Sequence, residues 1–345
     1  MAKIYPLLLA LFLLGCGRST VGGSFVRPLG AFGQTEEVSH DPDDPAIWIH
    51  PDDPSLSLIV GTNKVELPNG ALYVYDLDGK TLQRIGGLNR PNNVDIEQGV
   101  RIGGEVFDIA VVTERVAKAL RIYSIDSQNR RLSEMAKLSV FEGEDGEFSD
   151  PMGIALYKRP DGATFAVVGR KSGPLDGYLW QYRLESGPSL RLVRKFGRYS
   201  GNGEIEAIAI DDALGYVYYA DEGAGIRKYY ADPEHADASQ ELAFFGRTGY
   251  TGDREGLAIY PLENGSGYIV STDQIDGKSR YFLYRREGSS GKPHDHSEVV
   301  MVLDGSADST DGIEVSALPL RPALPHGLLI AMNSARRNFL LFKWP

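Results

Sequence analysis

Apolar residues come in short runs separated by polar turns, and the runs return in matching groups. From residue 44 onward one pattern recurs roughly every 50 residues. Each group opens on a triplet that leads into an apolar run: Pro45-Ala46-Ile47, Val94-Asp95-Ile96, Met152-Gly153-Ile154, Glu206-Ala207-Ile208, Glu255-Gly256-Leu257 and Asp311-Gly312-Ile313. The middle residue is usually small, which lets backbones approach closely. A second run follows each time and ends in polar residues: Asn63-Lys64, Glu114-Arg115, Arg170-Lys171, Asp221-Glu222, Asp273-Gln274 and Asn333-Ser334. A third run carries alternating aromatics, as in Leu72-Tyr73-Val74-Tyr75, and a fourth follows in all groups but the last.

Short apolar runs bounded by Gly, Pro, Asn and Asp read as strands. Four strands per repeat predict an all-β fold, a six-bladed β-propeller, because one blade cannot bury its own faces and a closed ring of blades can. The sixth group ends at Pro345 after three strands. Residues 25–38 are unassigned, so this N-terminal segment is expected to close the last blade and remove its open edge. Residues 25–345 then form a single propeller domain, for which a monomer is the default.

The N-terminus follows a different pattern. Lys3 precedes an apolar run at 7–14 that ends in Leu13-Leu14-Gly15-Cys16. That run is too short to span a membrane and reads as an export signal. It resembles the lipobox of a bacterial lipoprotein. Residues 1–16 are therefore expected to form the signal segment, with Cys16 lipidated and residues 17–24 a tether. The implied location is outside the cytoplasm on a lipid anchor. Gly17 after the Cys points to the outer membrane of a Gram-negative cell. Cys16 is the one cysteine in the chain, which excludes internal disulfides and a thiol nucleophile. The net charge of −11 argues against nucleic acid as a partner, since phosphate neutralisation needs a basic face.

Propeller geometry gives the repeat a chemical meaning. The start of each first strand and the end of each second strand share one rim. The acids sent there are Asp43, Asp44, Asp95, Glu206, Asp221, Glu222, Asp253, Glu255 and Asp311, with Glu314 nearby. Asn63, Asn92, Asn93 and Gln274 accompany them, and Lys64, Arg115, Arg170 and Lys171 come from the first three blades. Carboxylates and amides without Cys or His are hard oxygen donors that suit Ca²⁺ or Mg²⁺. Cations beside them suit a multiply anionic ligand such as phosphate. No Arg-His-Gly, Cys-x5-Arg or Gly-x-Ser-x-Gly motif is present. His294-Asp295-His296 falls in a polar loop and is expected to be an exposed turn.

Taken in order, residues 41–48 (DPDDPAIW), 62–64 (TNK), 92–96 (NNVDI), Glu206, Asp221-Glu222, 253–257 (DREGL) and 309–313 (STDGI) make the chain similar to the β-propeller phytases. The resemblance implies calcium-dependent hydrolysis of myo-inositol hexakisphosphate, phytate, by metal-activated water attack, with several Ca²⁺ ions on the top face. It implies Asp44, Glu206, Glu222, Glu255 and Asp311 as calcium ligands, joined by Asp43, Asp95, Asp253 and Gln274. Lys64, Arg115 and Arg170 are implied as phosphate binders, and Glu206, Glu222, Arg115 and Lys64 as the catalytic set. Two positions depart from well-known members. Met152 stands in place of a Tyr. Lys171 stands in place of a Glu, which removes one candidate calcium ligand and adds a cation to the phosphate-binding group. A calcium-dependent lactonase-type propeller and a non-catalytic ligand-binding propeller are the competing readings of the same rim.

Overall fold

In the computed structural model, Thr20–Val21 and residues 24–345 are described. The expected signal segment with Cys16, and most of the tether, lie outside the described residues.

Six sheets stand around a ring. Blade one holds Pro42–Trp48, Leu58–Asn63, Ala71–Tyr75 and Thr81–Gly86; blade two Pro91–Ile102, Glu105–Glu114, Ala119–Asp126 and Arg131–Ser139. Blade three holds Pro151–Lys158, Thr164–Arg170, Asp176–Glu185 and Ser189–Arg198; blade four Ile208–Asp211, Tyr216–Asp221, Gly225–Tyr230 and Ala243–Phe245. Leu257–Pro261, Gly267–Ile275, Lys278–Arg285 and Val299–Gly305 make blade five. Ile313–Ser316, Leu328–Asn333 and Asn338–Lys343 make blade six, and Gly33–Gln34 adds its fourth strand. Consecutive strands within each blade are antiparallel, and innermost strands touch from blade to blade until blade six meets blade one.

The strand period of two explains why the ring holds. In blade one, Ile59, Tyr73 and Tyr75 pack toward blade six, while Leu58, Val60, Leu72 and Val74 pack toward blade two. Each blade thus divides its apolar side chains between two neighbours, and six buried clusters fill the seams between blades.

The N-terminal segment does more than close the ring. Gly33–Gln34 pairs antiparallel with Asn338–Lys343, as expected for closure. Its earlier part, Ser24–Leu29, instead runs parallel to Val299–Gly305 as a fifth strand on blade five. The chain therefore crosses from blade five to blade six at residues 30–32, and Leu29 is buried in the seam between those blades.

Candidate functional site

The rim begins with a local distortion. Pro42, Pro91 and Pro151 open the first strands of blades one to three, and each is followed by a register shift before regular pairing resumes. A proline is tolerated at a strand's first residue, and a bulge re-aims the side chains it carries. The bulged residues are Asp43 and Asp44, Asn92 and Asn93, and Met152 and Gly153. The small residues expected in the repeat are required here. A Cβ on Gly153 would lie 1.8 Å from the Glu206 carbonyl oxygen, and one on Gly312 would lie 2.2 Å from Asp44 Oδ1.

Across the ring these groups join. Lys64 Nζ pairs with Asp43 and lies 3.1 Å from Asp311 Oδ2. Gln274 donates to Asp311. Asn92, fully buried, donates from Nδ2 to Glu206 Oε1 at 3.0 Å and to Asp43 Oδ2 at 3.4 Å. The Asn93 amide, in the orientation its neighbours satisfy, donates to Glu206 Oε1 at 3.0 Å and to the Met152 carbonyl at 3.1 Å. Carboxylate oxygens of Glu204, Glu206 and Glu222 lie within 4.8 Å of one another. Glu222 Oε2 accepts the Glu204 N–H at 2.7 Å, and Lys171 pairs with Glu204 Oε1. Arg115 is buried with its guanidinium against the Met152 sulfur. Asp253 is exposed at the edge.

Asp44, Asp95, Glu255 and Glu314 line the central channel, a cavity of about 240 Å³. Asp95 does not join the rim cluster: its two oxygens accept the Ile96 N–H at 2.7 Å and the Leu156 N–H at 2.6 Å. Asp44 Oδ2 accepts the Val94 N–H at 3.0 Å.

The second-strand exits obey one rule. The first residue of each exit pair turns into its own blade, and in blades one to five the second turns toward the rim. Glu114, Asp221 and Asp273 are sealed by Arg121, Arg227 and Arg280 from the adjoining third strand. Asn63 and Asn333 are buried in hydrogen bonds within blades one and six. The residues after the three acids, Arg115, Glu222 and Gln274, face the site. Arg170 is a first residue. It is 1% exposed, and it donates to the carbonyls of Tyr178 at 2.9 Å, Gly177 at 3.0 Å and Phe148 at 3.2 Å. Phe141, Phe148, Tyr178 and Trp180 surround its guanidinium. The expected phosphate binder is thus a staple inside blade three, and Lys171 is the cation that blade three presents. Glu204 was absent from the expected set. Its signal was its place two residues before Glu206, on the same side of an extended chain.

The electrostatics describe carboxylates short of positive charge. Burial, then repulsion from Glu206 and Asp253, pushes Glu222 up to about 8. Burial pushes Asp95 up to about 7. Burial also raises Asp43 and Asp44 well above the usual range, and it raises Asp311. Glu255 is raised by burial and then by Glu222 and Glu206. Burial works to lower Lys64, but Asp43, Glu206 and Asp311 outweigh it and hold the ammonium well above its ordinary value. Asn92 Oδ1 and Glu204 Oε2 are buried acceptors with no hydrogen-bond donor among the described residues. A donor set of carboxylate and amide oxygens, with orphaned acceptors, fits a hard cation. The acidic triad could bind a metal.

His294-Asp295-His296 departs from the exposed turn expected of it: His296 is buried and packs against Lys228 on the fourth blade.

Two comparisons bear on the whole chain. A family model described as Phytase matches residues 29–338. The 3-phytase of Bacillus subtilis (strain 168) is 29% identical over 354 aligned positions, which cover 96% of this chain and 89% of that protein.

Proposed function

We propose a calcium-dependent mechanism for a chain that belongs to the phytase family. The protein is a phosphoric monoester hydrolase, and its substrate is the small molecule phytate. The observation that carries the mechanism is the division of the rim. Lys64, Arg115 and Lys171 come from blades one to three, and they face Glu204, Glu206, Glu222, Glu255 and Asp311 from blades four to six.

Glu206 and Glu222 would be the ligands at the centre of the carboxylate half, and Glu204, Asp43, Asp44, Glu255, Asp311 and Gln274 would complete the oxygen donors. Calcium, when bound, neutralises phosphoryl oxygens and activates the attacking water. Asn92 and Asn93 hold Glu206 in place from the second blade, across the rim. Lys64 remains a cation because three carboxylates face it, so it orients a substrate phosphate as a fixed point charge. Arg115 lies within electrostatic reach of Glu206 and Asp43 and meets the charge that develops on the phosphoryl oxygens. Water oxygen bonds to phosphorus, the phosphorus–inositol oxygen bond breaks, and one proton of that water passes to the departing inositol oxygen. A lactonase-type site has no use for the basic half of this rim.

The test follows phosphate release from phytate by the purified protein. Both Glu206→Gln and chelation by EGTA are expected to abolish release, and added Ca²⁺ to restore it after chelation. Release that survives either treatment contradicts the mechanism.

We also propose that the protein is exported, anchored by a lipid on Cys16 to the outer membrane, and monomeric. The Leu13-Leu14-Gly15-Cys16 signal supports the anchor. No helix among the described residues is long and apolar enough to cross a membrane. Labelling with radioactive palmitate is expected for the wild type and lost in Cys16→Ser; equal labelling of both contradicts the anchor.

A further inference from the structure

We propose that Lys171 and Glu204 form an exchange pair: Lys171 stands in for a divalent cation at Glu204 while the site is free of ions, and passes to a substrate phosphate when the ion arrives. This rests on the reading that the rim carboxylates hold calcium.

The geometry supplies both halves of the exchange. Lys171 is the rim-facing member of its exit pair, and Glu204 is its ion-pair partner among the described residues. Glu204 belongs to the triad with Glu206 and Glu222, so the ammonium sits at the edge of the acidic cluster. Its Oε1 is occupied by Lys171, whereas its Oε2 is buried without a donor. One oxygen of the ligand is therefore taken and the other is waiting. The Glu204 N–H donates to Glu222 Oε2 at 2.7 Å, so the Glu204 backbone stays beside the cluster whether or not Lys171 is present.

Mobility separates Lys171 from the other rim cations. Its side chain is 32% exposed, on a flexible four-carbon stem, with one carboxylate partner. Lys64 is 15% exposed and is held by Asp43 and Asp311 together. Arg115 is buried against Met152. A divalent cation at the triad repels an ammonium held on the same carboxylate, so ion entry and Lys171 release are one event. The released ammonium is a compact donor on the phosphate-facing side of the rim. Ion binding and phosphate binding are then coupled through one side chain, and the coupling is reciprocal.

The test is calcium titration by isothermal calorimetry on the purified protein without substrate, paired with KM for phytate. Lys171→Met removes the competing ammonium, so it is expected to tighten calcium binding by about 5-fold or more and to raise KM. Lys171→Arg keeps the charge and is expected to keep the wild-type calcium affinity. Glu204→Gln weakens calcium binding, and in that background Lys171→Met should no longer tighten it. Calcium affinity that is unchanged or weakened in Lys171→Met overturns the exchange. A wild type that binds no calcium overturns the underlying reading instead, and the first titration separates the two.

Discussion

At the level of single residues, the rim follows strand alternation more closely than motif similarity. Arg170 and Lys171 are neighbours with the same charge, and their surroundings give them opposite roles. Arg170 Nε and both terminal nitrogens are used by carbonyls of 148, 177 and 178, which lie in the approach to blade three and at the start of its third strand. Arg170→Met would remove the donor from three carbonyls, of which the Tyr178 contact is fully buried, at about 1–3 kcal/mol for each acceptor that water cannot reach. The expected result is a melting temperature lowered by several degrees, with KM for phytate at low temperature close to wild type. A large KM effect with unchanged melting would return Arg170 to the substrate. The sequence places Glu114, Asp221 and Asp273 at the same position as Arg170, but the inward direction of that position appears only in the structure, where all three acids are buried. Similarity to the family drew attention to charge and not to side-chain direction. Glu204 precedes the regular strand Ile208–Asp211, so its two-residue spacing from Glu206 is the one sequence signal that marks it.

At the level of elements, one loop shows how a blade grips its neighbour. Residues 286–298 join the last two strands of blade five and reach over blade four. Lys228, fully buried on blade four, donates to the Pro293 carbonyl at 2.7 Å, lies 3.1 Å from His296 Nε2 and sits 3.8 Å from the Tyr216 ring centre. His296 Nδ1 donates to the Arg285 carbonyl at 2.8 Å, which leaves Nε2 to accept from Lys228. Asp211 and Arg286 close the same contact at 2.5 Å. Burial lowers Lys228 to about 7, and burial followed by the Lys228 charge lowers His296 to about 4. Both folded values lie below those of the unfolded chain, so the unfolded chain binds more protons between them. Stability from Lys228 is complete above about 10.5 and lost as pH falls toward about 7; that from His296 is complete above about 6.5 and lost toward about 4. Wild type should therefore gain resistance to urea between about pH 7 and about pH 9, and Lys228→Met should lack that part of the gain. Parallel urea midpoints for the two proteins would refute the assignment.

The same scale shows what the pattern of runs could and could not specify. Four strands per repeat and the six blades follow from alternation and turn residues alone. The destination of residues 25–38 does not. A short apolar strand can pair with either of two open edges, antiparallel on blade six or parallel on blade five, with the same sequence pattern. Here both are used, and residues 30–32 make the crossing between them.

At the level of the whole molecule, the seam between blades six and one decides whether the ring stays closed. Two sets of bonds hold it. At the outer edge, Gly33–Gln34 lies on Asn338–Lys343, and bonds from Phe32 and Thr35 extend the contact: each N–H donates at 2.9 Å, to the carbonyls of Leu341 and Phe339. At the inner rim, the Gly312 N–H donates to the Asp43 carbonyl at 3.0 Å and Lys64 of blade one reaches Asp311 of blade six. Calcium ligands on the proposed reading come from blades one, four, five and six, so a bound ion adds to the inner set alone. Its contribution at 100 times the dissociation constant is about 2.7 kcal/mol. In the full chain the outer strand already holds the seam, and calcium stabilises only by mass action. A protein beginning at residue 36 lacks that strand, and its seam keeps the buried apolar cluster between blades six and one and the inner rim. Its melting temperature should be lower than that of the full chain in EGTA, and the rise on adding calcium should be larger. Thermal melts of both proteins with EGTA and with excess Ca²⁺ supply the four values needed. An equal calcium-induced rise in the two would mean that the ions act within blades and not across the seam, and the division of labour between outer strand and inner rim would have to be abandoned.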